Sequence, residues 1–532
     1  MKFQSQYIPF SKTGKFTKVV LDYVNESDAL KAFYQHPVSL EGIKSAIAER
    51  QKFSTNRQLL ADQFTIQYND FDDCDSIKAN IHALLEKNTF TICTAHQPNI
   101  FTGHLYFVYK ILHTIKLADS LKNQLPDYNF VPVFFMGSED ADLEELNHVV
   151  IDGEKYQWVT KQKGAVGRMK VDDHLIKLIE RIAGRLSVEK YGNEIIELLK
   201  KCFIENSTIE EATFLFVHYL FKEFGLLVLL PDNPAFKQEM ISIFEDDIFN
   251  HTSSEIVLQT SEALSKNYKA QAYPRDINLF YLKDDLRNRI VGVDNGFVVH
   301  GTDINFSNEE IKNELEKHPE RFSPNVILRG LFQEMILPDV VWIGGGGELA
   351  YWLQLKDLFK NYDVPYPVLV VRNSFMILDE RCQSLLRKLH LNEIDLFKGE
   401  REVLKQMVYE ESEAVLNLDK EKEEFSTIYQ RLKEIVKHID TTLVLHTAAL
   451  ETRHIKLLSA LEKKMLRAEK RKYADQKKQL SKLFTILFPN DGLQERTENF
   501  MLFYSRYGKD FLNILYESSL TLEQEFCIIK PA

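Results

Sequence analysis

The sequence predicts an α/β protein: a parallel sheet with helices on both faces, broken by inserted subdomains and followed by a helical coiled-coil region. Three observations carry this. Short, continuous apolar runs recur up to Val371, each stopping at a polar or glycine-rich loop. Such runs are the pattern of strands buried on both faces. The intervals between them have helical spacing, as parallel crossovers require. Finally, Glu400 to Phe488 contains neither glycine nor proline, and Leu457, Leu461, Met465 and Ala468 recur there at helical spacing.

In chain order, residues 1–88 hold short helical pieces around Ala29–Phe33, Ile43–Ala48 and Ile81–Leu85. Phe90–Cys93 is the first buried strand; it runs into Thr94–His104, and a helix follows over Leu105–Leu117. Val131–Met136 runs into Gly137–Asp142, Leu226–Leu230 into Pro231-Asp232-Asn233-Pro234, and Val340–Ile343 into Gly344–Glu348, ahead of a helical Leu349–Phe359. Val368–Val371 runs into Arg372-Asn373-Ser374. The stretches at about 152–220 and 235–325 are too long for simple crossovers and predict inserted subdomains, the second with a hairpin around Asp294-Asn295-Gly296. The expected domains are therefore 1–380, the sheet core; 381–488, the coiled coil; and 489–532, whose Phe500, Phe503, Tyr504 and Phe511 pack back on the body. The coiled coil begins acidic (Glu400, Glu402, Glu410, Glu411) and ends basic (Lys470, Arg471, Lys472, Lys477), which fits antiparallel pairing within a hairpin or across a dimer.

Composition narrows the function. A formal net charge of -12 argues against general nucleic-acid binding, which needs excess Lys and Arg. The five cysteines form no Cys-x-x-Cys pair, which speaks against a zinc ribbon or dithiol site and suits a reducing compartment. The N-terminus is polar and no run approaches the roughly 18 apolar residues of a membrane span. A cytoplasmic protein is expected.

Three constellations carry chemistry. In the first, His96, Gln97, Asn99, Thr102, Gly103, His104 and Tyr106 surround a helix start, with Lys110 further along the helix. Helix N-termini attract anions, and an imidazole there can donate to a phosphate or to charge developing at an acyl centre; equally, the histidines can cap the helix. In the second, Glu139, Asp140, Asp142, Asn147 and His148 follow the strand ending at Met136. The acids can hold Mg²⁺, bind an amino group or serve as general base, or they can cap a helix. In the third, Asn325 and Arg329 precede Gly344, Gly345, Gly346, Gly347 and Glu348, with Tyr351 and Trp352 one turn on. A tetraglycine lets a ligand approach the backbone, and Arg329 can clamp a carboxylate or phosphate. It is neither a Walker loop nor a dinucleotide fingerprint.

The motifs Ala95-His96-Gln97-Pro98 with Thr102-Gly103 and Leu105-Tyr106, Pro132-Val133-Phe134 with Ser138-Glu139-Asp140 and Asn147-His148, Ser323-Pro324-Asn325-Val326 with Arg329, and Gly344-Gly345 with Gly347-Glu348 and Ala350-Tyr351-Trp352 go together. Through them the chain resembles, end to end, the cysteine-adding ligases of bacillithiol biosynthesis. The resemblance implies a Rossmann-like nucleotide-binding core with two connecting-peptide insertions, as in class I aminoacyl-tRNA synthetases, and a coiled coil used for homodimerisation. The implied reaction joins the carboxyl of cysteine to the amine of glucosaminyl-malate. Ala141, His104 and Gly346 stand where that family more often has histidine, proline and proline. There is no Lys-Met-Ser-Lys-Ser loop.

Amide formation from a free carboxylate needs activation, so ATP is the expected cofactor, with Mg²⁺ as its companion. The expected catalytic set is His96, His104, Glu139, Asp140 and Asp142. The other residues of the three constellations, together with Arg372, form the expected binding set, and no metal ligand is assigned. All of them should face one crevice that joins His96, Asp140 and Gly345. The alternative is a synthetase-like enzyme or tRNA-binding protein that uses the basic helix.

Overall fold

The computed structural model describes residues 3–71, 74–412 and 414–532; Met1 and Lys2 of the polar N-terminus lie outside them. The chain forms two compact units. The first runs to Ile377 and resumes over Gly492–Lys530; the second is Leu378–Asp491.

The first unit is built on five strands: β1 (Thr89–His96), β2 (Asn129–Met136), β3 (Leu227–Leu229), β4 (Asp339–Gly344) and β5 (Val368–Val371). All neighbours are parallel, in the order β5-β4-β1-β2-β3. This is a Rossmann-like order. The chain starts in the middle, winds outward through β2 and β3, then returns to the other side of β1. The reversal leaves a crevice beyond the carboxyl ends of β1 and β4. Register brings these ends level, pairing His96 with Met136, Thr94 with Ile343, and Gly344 with Val371.

β1 is buried on both faces up to His96, which explains its unbroken apolar run. Helix α1 (Leu105–Gln124) packs Leu117, Ala118 and Leu121 onto Phe90, Ile92, Val341, Ile343, Val368 and Val370, beside Ile43 and Ile47 of the helix Leu40–Arg50. Two more helices matter for the site: α2 (Val326–Ile336) leads into β4, and α3 (Gly346–Trp352) leaves it.

The two long intervals carry real secondary structure but do not separate from the sheet as units of their own. The first holds the end of a hairpin, His148–Ile151 with Glu154–Gln157, then helices Asp173–Leu186, Gly192–Cys202 and Ile209–Phe221. The second holds four α-helices and a five-stranded antiparallel sheet. Its hairpin pairs Val293 with Gly296, leaving Asp294-Asn295 as a two-residue turn. The tail from Gly492 belongs to the first unit, and its strand Glu525–Pro531 pairs in parallel with Ser374–Ile377.

In the second unit the long helix breaks into pieces despite the absence of glycine and proline: Glu400–Glu411, α4 (Asp419–Lys437), α5 (Leu443–Lys470) and Ala474–Leu487. At the first two breaks side-chain oxygens take backbone N–H groups that a helix would use. Ala414 N–H donates to Ser412 Oγ, Asp419 N–H to Asn417 Oδ1, and Thr442 N–H to Asp440 Oδ1. Across α4 and α5 themselves the ion pairs have the opposite polarity to the acidic and basic blocks. The bridging pairs run from lysines on α4 to glutamates on α5, Lys422 to Glu462 (2.8 Å) and Lys433 to Glu451 (2.5 Å). The acidic helix Glu400–Glu411 packs instead on α5 and on Ala474–Leu487, where Glu402 interacts with the charge of Lys470 from the basic block. Among the described residues no helix is long and apolar enough to cross a membrane.

Candidate active site

A cavity of about 620 Å³ opens at the carboxyl ends of β1 and β4. Its wall comes from six stretches far apart in the chain. After β1 come His96, Gln97 and Asn99; the start of α1 gives His104, Tyr106 and Lys110; the loop beyond β2 gives Asp140, Glu145 and His148. The start of α2 gives Pro324, Asn325, Val326 and Arg329, the start of α3 gives Gly345, Gly346, Gly347, Glu348 and Tyr351, and Arg372 and Arg496 complete it. His96, Asp140 and Gly345 thus share one cavity.

His96 ends β1 with its ring against Tyr106 and Phe107, at 5.3 and 5.5 Å between centroids. Burial, then the charges of Lys110 and Arg329, hold its pKa well below the ordinary histidine value. It is therefore a neutral imidazole at pH 7. Its Nε2 is buried with no hydrogen-bond partner among the described residues, and so is Asn99 Oδ1. Buried polar atoms are normally paired, so two orphans on one cavity wall mark a place for ligand atoms.

The backbone after Asn99 is strained. Phe101 and Thr102 have φ of 51° and 68°, costly for an aromatic and a β-branched residue by about 1–3 kcal/mol each. Gly103 follows at φ 65°, where a Cβ would lie 2.8 Å from Asn99 Cβ. The side-chain amide of Asn499 holds this turn, donating to Phe101 O (3.0 Å) and to Gly103 O.

His104 precedes α1 and shares its Nδ1 with Thr497 O at 3.0 Å. A carbonyl only accepts, so Nδ1 carries the proton and Nε2 keeps its lone pair. Burial lowers the His104 pKa, against the Thr497 bond, which raises it.

Lys110 lies buried beneath the glycines, donating to Ala95 O (3.0 Å) and paired with Glu348 Oε2 (2.5 Å). The same carboxylate oxygen accepts the Gly345 N–H at 2.9 Å. This ion pair ties the end of β1 to the glycine segment. Of the four glycines, Gly344 is required by packing, since a Cβ there would fall 1.9 Å from the Trp342 ring. Gly346 has Val20 Cγ2 at 2.6 Å, whereas Gly347 has nothing within 4 Å and opens to the cavity.

Three further charges are oriented by partners. Arg372 is paired with Glu495 at 2.7 Å and lies over the Tyr106 ring at 5.1 Å. Arg329 donates to Tyr351 OH at 2.8 Å. Asp140 accepts from Gln97 Nε2 at 2.9 Å and lies 3.4 Å from Arg287. Glu145 has its pKa raised by burial and by Asp142 and Asp140. The wall thus carries four cations, Lys110, Arg329, Arg372 and Arg496, together with three acids, Asp140, Glu145 and Glu348. Such a mixture suits a ligand with both anionic and ammonium groups.

Several expected residues lie elsewhere. Glu139 is not in the wall; it is buried against Lys237 at 2.5 Å, and Lys237 also donates to Phe322 O. Asp142 is exposed at the start of the short helix Leu143–Leu146. Trp352 is buried against Trp342, at 4.8 Å between ring centroids. One residue along a helix turns about 100°, so Tyr351 faces the cavity and Trp352 the core. Gly344 lies under Trp342, Thr102 and Gly103 shape the turn, and the backbone carbonyl of buried Asn147 accepts the Trp158 backbone N–H at 2.8 Å. Conversely, the expected site set left out Glu145 and Arg496 of the wall, Pro324 and Val326 although they lie in a motif that carries the resemblance, and Glu495, Thr497 and Asn499 behind it. Glu145 had a signal, lying in the acidic run after β2. Arg496 had none.

The relatives agree with this architecture. The model for the bacillithiol biosynthesis BshC N-terminal Rossmann-like domain matches residues 3–373, and that for the BshC C-terminal coiled-coil domain matches 375–531. A protein of Flavobacterium johnsoniae named "Putative cysteine ligase BshC" is 37% identical over 98% of this chain and 99% of its own length. One of the same name from Christiangramia forsetii is 38% identical over 98% of both. Another from Salinibacter ruber is 29% identical over 95% of both. With two domain models covering nearly every residue and relatives of this similarity matching end to end, the chain belongs to the BshC family of bacillithiol biosynthesis.

Proposed function

We propose that this crevice is the active site of a ligase that joins the carboxyl of cysteine to the amine of glucosaminyl-malate, with ATP activating the carboxyl. The observation that carries the reading is the cavity itself. At the switch point of a Rossmann-like sheet, a neutral imidazole with an unpartnered Nε2 faces a wall bearing both cations and acids. Glucosaminyl-malate presents carboxylates at one end and an amine at the other, and cysteine is a zwitterion. Arg329, Arg372 and Arg496 suit the carboxylates, and Asp140 and Glu145 suit an ammonium. His96 donates to charge developing on the reacting acyl oxygen, and His104 Nε2 can accept the proton the amine releases.

The residues also fit ATP. Gly347 leaves open space beside the start of α3, and the orphaned His96 Nε2 and Asn99 Oδ1 await polar partners. When bound, ATP turns the carboxylate oxygen into a leaving group. Among the described residues no cluster of three or more His, Cys, Asp or Glu has the arrangement of a metal site, so Mg²⁺ would enter on the nucleotide phosphates. We further propose that two chains pair through the α4–α5 hairpin.

The test is direct. Purified protein is incubated with cysteine, glucosaminyl-malate, ATP and Mg²⁺, and the thiol product is sought by mass spectrometry, with ATP omitted in parallel. Product only with ATP supports the full reading; product without it removes the nucleotide; no product in either overturns the ligase.

A further inference from the structure

We infer that Glu495–Asn499 is a positioning strap for the reaction, with Asn499 as its central positioning residue. The strap follows closely on the return of the chain into the first unit at Gly492, nearly four hundred residues after the loop it supports. Four of its five residues each fix a different feature of the crevice. Glu495 holds the Arg372 guanidinium at 2.7 Å and also accepts from Ser374 Oγ and the Phe375 N–H. Thr497 O takes the Nδ1 proton of His104. Glu498 O accepts the first N–H of α1, from Leu105, at 2.8 Å. Asn499 ties down the carbonyls of Phe101 and Gly103, on either side of Thr102.

The Asn499 amide can face only one way. Its Oδ1 accepts the Met501 N–H at 2.9 Å, so Nδ2 must be the group that meets the two carbonyls. It is fully buried. The turn closes on its own backbone through Thr102 N–H to Asn99 O (3.1 Å) and Gly103 N–H to Ile100 O (3.0 Å), and Asn499 fixes its carbonyls from outside; this turn sets where Asn99 and His104 enter the cavity. A strap serving stability alone would have no reason to select these atoms: the carbonyls of the strained turn, one ring nitrogen of a cavity histidine and one cavity guanidinium.

The kinetic arm rests on the ligase reading. Asn499→Asp keeps the shape and the Met501 cap but turns an acceptor towards two carbonyls; Asn499→Ala removes both contacts. In soluble variants with wild-type circular dichroism, kcat should fall on the order of tenfold or more, because misplaced groups lose their attack geometry. KM for cysteine and glucosaminyl-malate should stay within about threefold of wild type. Wild-type kcat, or a rise in KM alone, overturns the strap.

A second measurement needs no activity and reads the wild-type protein. In ¹⁵N-histidine spectra of the wild-type protein, with His104→Gln for assignment, His104 should be a neutral Nδ1–H tautomer. An Nε2–H tautomer overturns the proposal. If the wild-type protein forms no product, the ligase reading fails and this spectrum alone decides the strap.

Discussion

His96 shows what burial does to a single side chain. Pressed between Tyr106 and Phe107 and surrounded by cations, it cannot hold a proton at neutral pH, so its use is as a dipole. Replacing it by alanine should lower kcat about 100- to 1,000-fold, the usual cost of losing one preorganised donor. Because it does not titrate near neutrality, the change between pH 6 and 8 in the rate profile should be the same in His96→Ala and wild type; a limb that vanishes with His96 would show that it ionises. Glu210 provides the opposite case, an acid whose burial and proximity to Asp232 push its pKa up to about 8. Unfolded, a glutamate titrates near about 4.3. Between these values the folded state keeps a proton that the unfolded state has lost, so this group makes stability fall as pH rises from about 4.3 to 8, by up to about 1.4 kcal/mol per unit. Glu210→Gln should therefore have a smaller drop in Tm between pH 5.5 and 8 than wild type. An equal or larger drop would place the proton elsewhere.

The glycine segment between β4 and α3 separates packing from function within one element. Gly344→Ala drives a methyl into the Trp342 ring, a steric clash expected to cost about 1–3 kcal/mol or more and to lower Tm. Gly347→Ala meets nothing within 4 Å and replaces a glycine at a helix start, so Tm should hold or rise, with a gain of up to about 1 kcal/mol. If the segment cradles a ligand, the same Gly347→Ala protein should lose activity; full activity with raised Tm would end the cradle reading. This segment was legible in the sequence because local rules apply to it: an apolar run stops, and glycines follow where no side chain fits. The loop after β1 was legible for the same reason. Trp352 was misread because its neighbour Tyr351 shares the motif but not the helix face. Glu139 was misread because the lysine that claims it, Lys237, lies 98 residues further along the chain. The strap was invisible as a site, since Glu495, Thr497 and Asn499 have no periodicity and end no strand. Their meaning lies in partners at Arg372, His104 and Phe101 that only the fold brings near.

At the scale of the whole molecule, the second unit leaves apolar surface without a partner in the single chain. Phe425 stacks on His454 of α5, but Ile428, Leu432, Ile435 and, just past the end of α4, Ile439 are exposed, Ile435 at 57% and Ile439 at 74%. Their spacing alternates three and four residues, which is the seam of a coiled coil, and it is a different face from the one that buries Tyr429 against His454 of α5. Leu457 and Leu461 on α5 are exposed as well. A row of this length in water calls for a second helix, and another copy of the chain supplies an identical row. Light scattering after size exclusion should therefore find a dimer in the wild-type protein and a monomer when Ile428 and Ile435 are both changed to glutamate. A wild-type monomer at micromolar concentration would reject the seam as an interface. Every residue lining the cavity belongs to the first unit. It follows that the monomeric double variant should keep kcat within about threefold of wild type; a collapse of activity on dissociation would instead mean that the second copy completes the crevice.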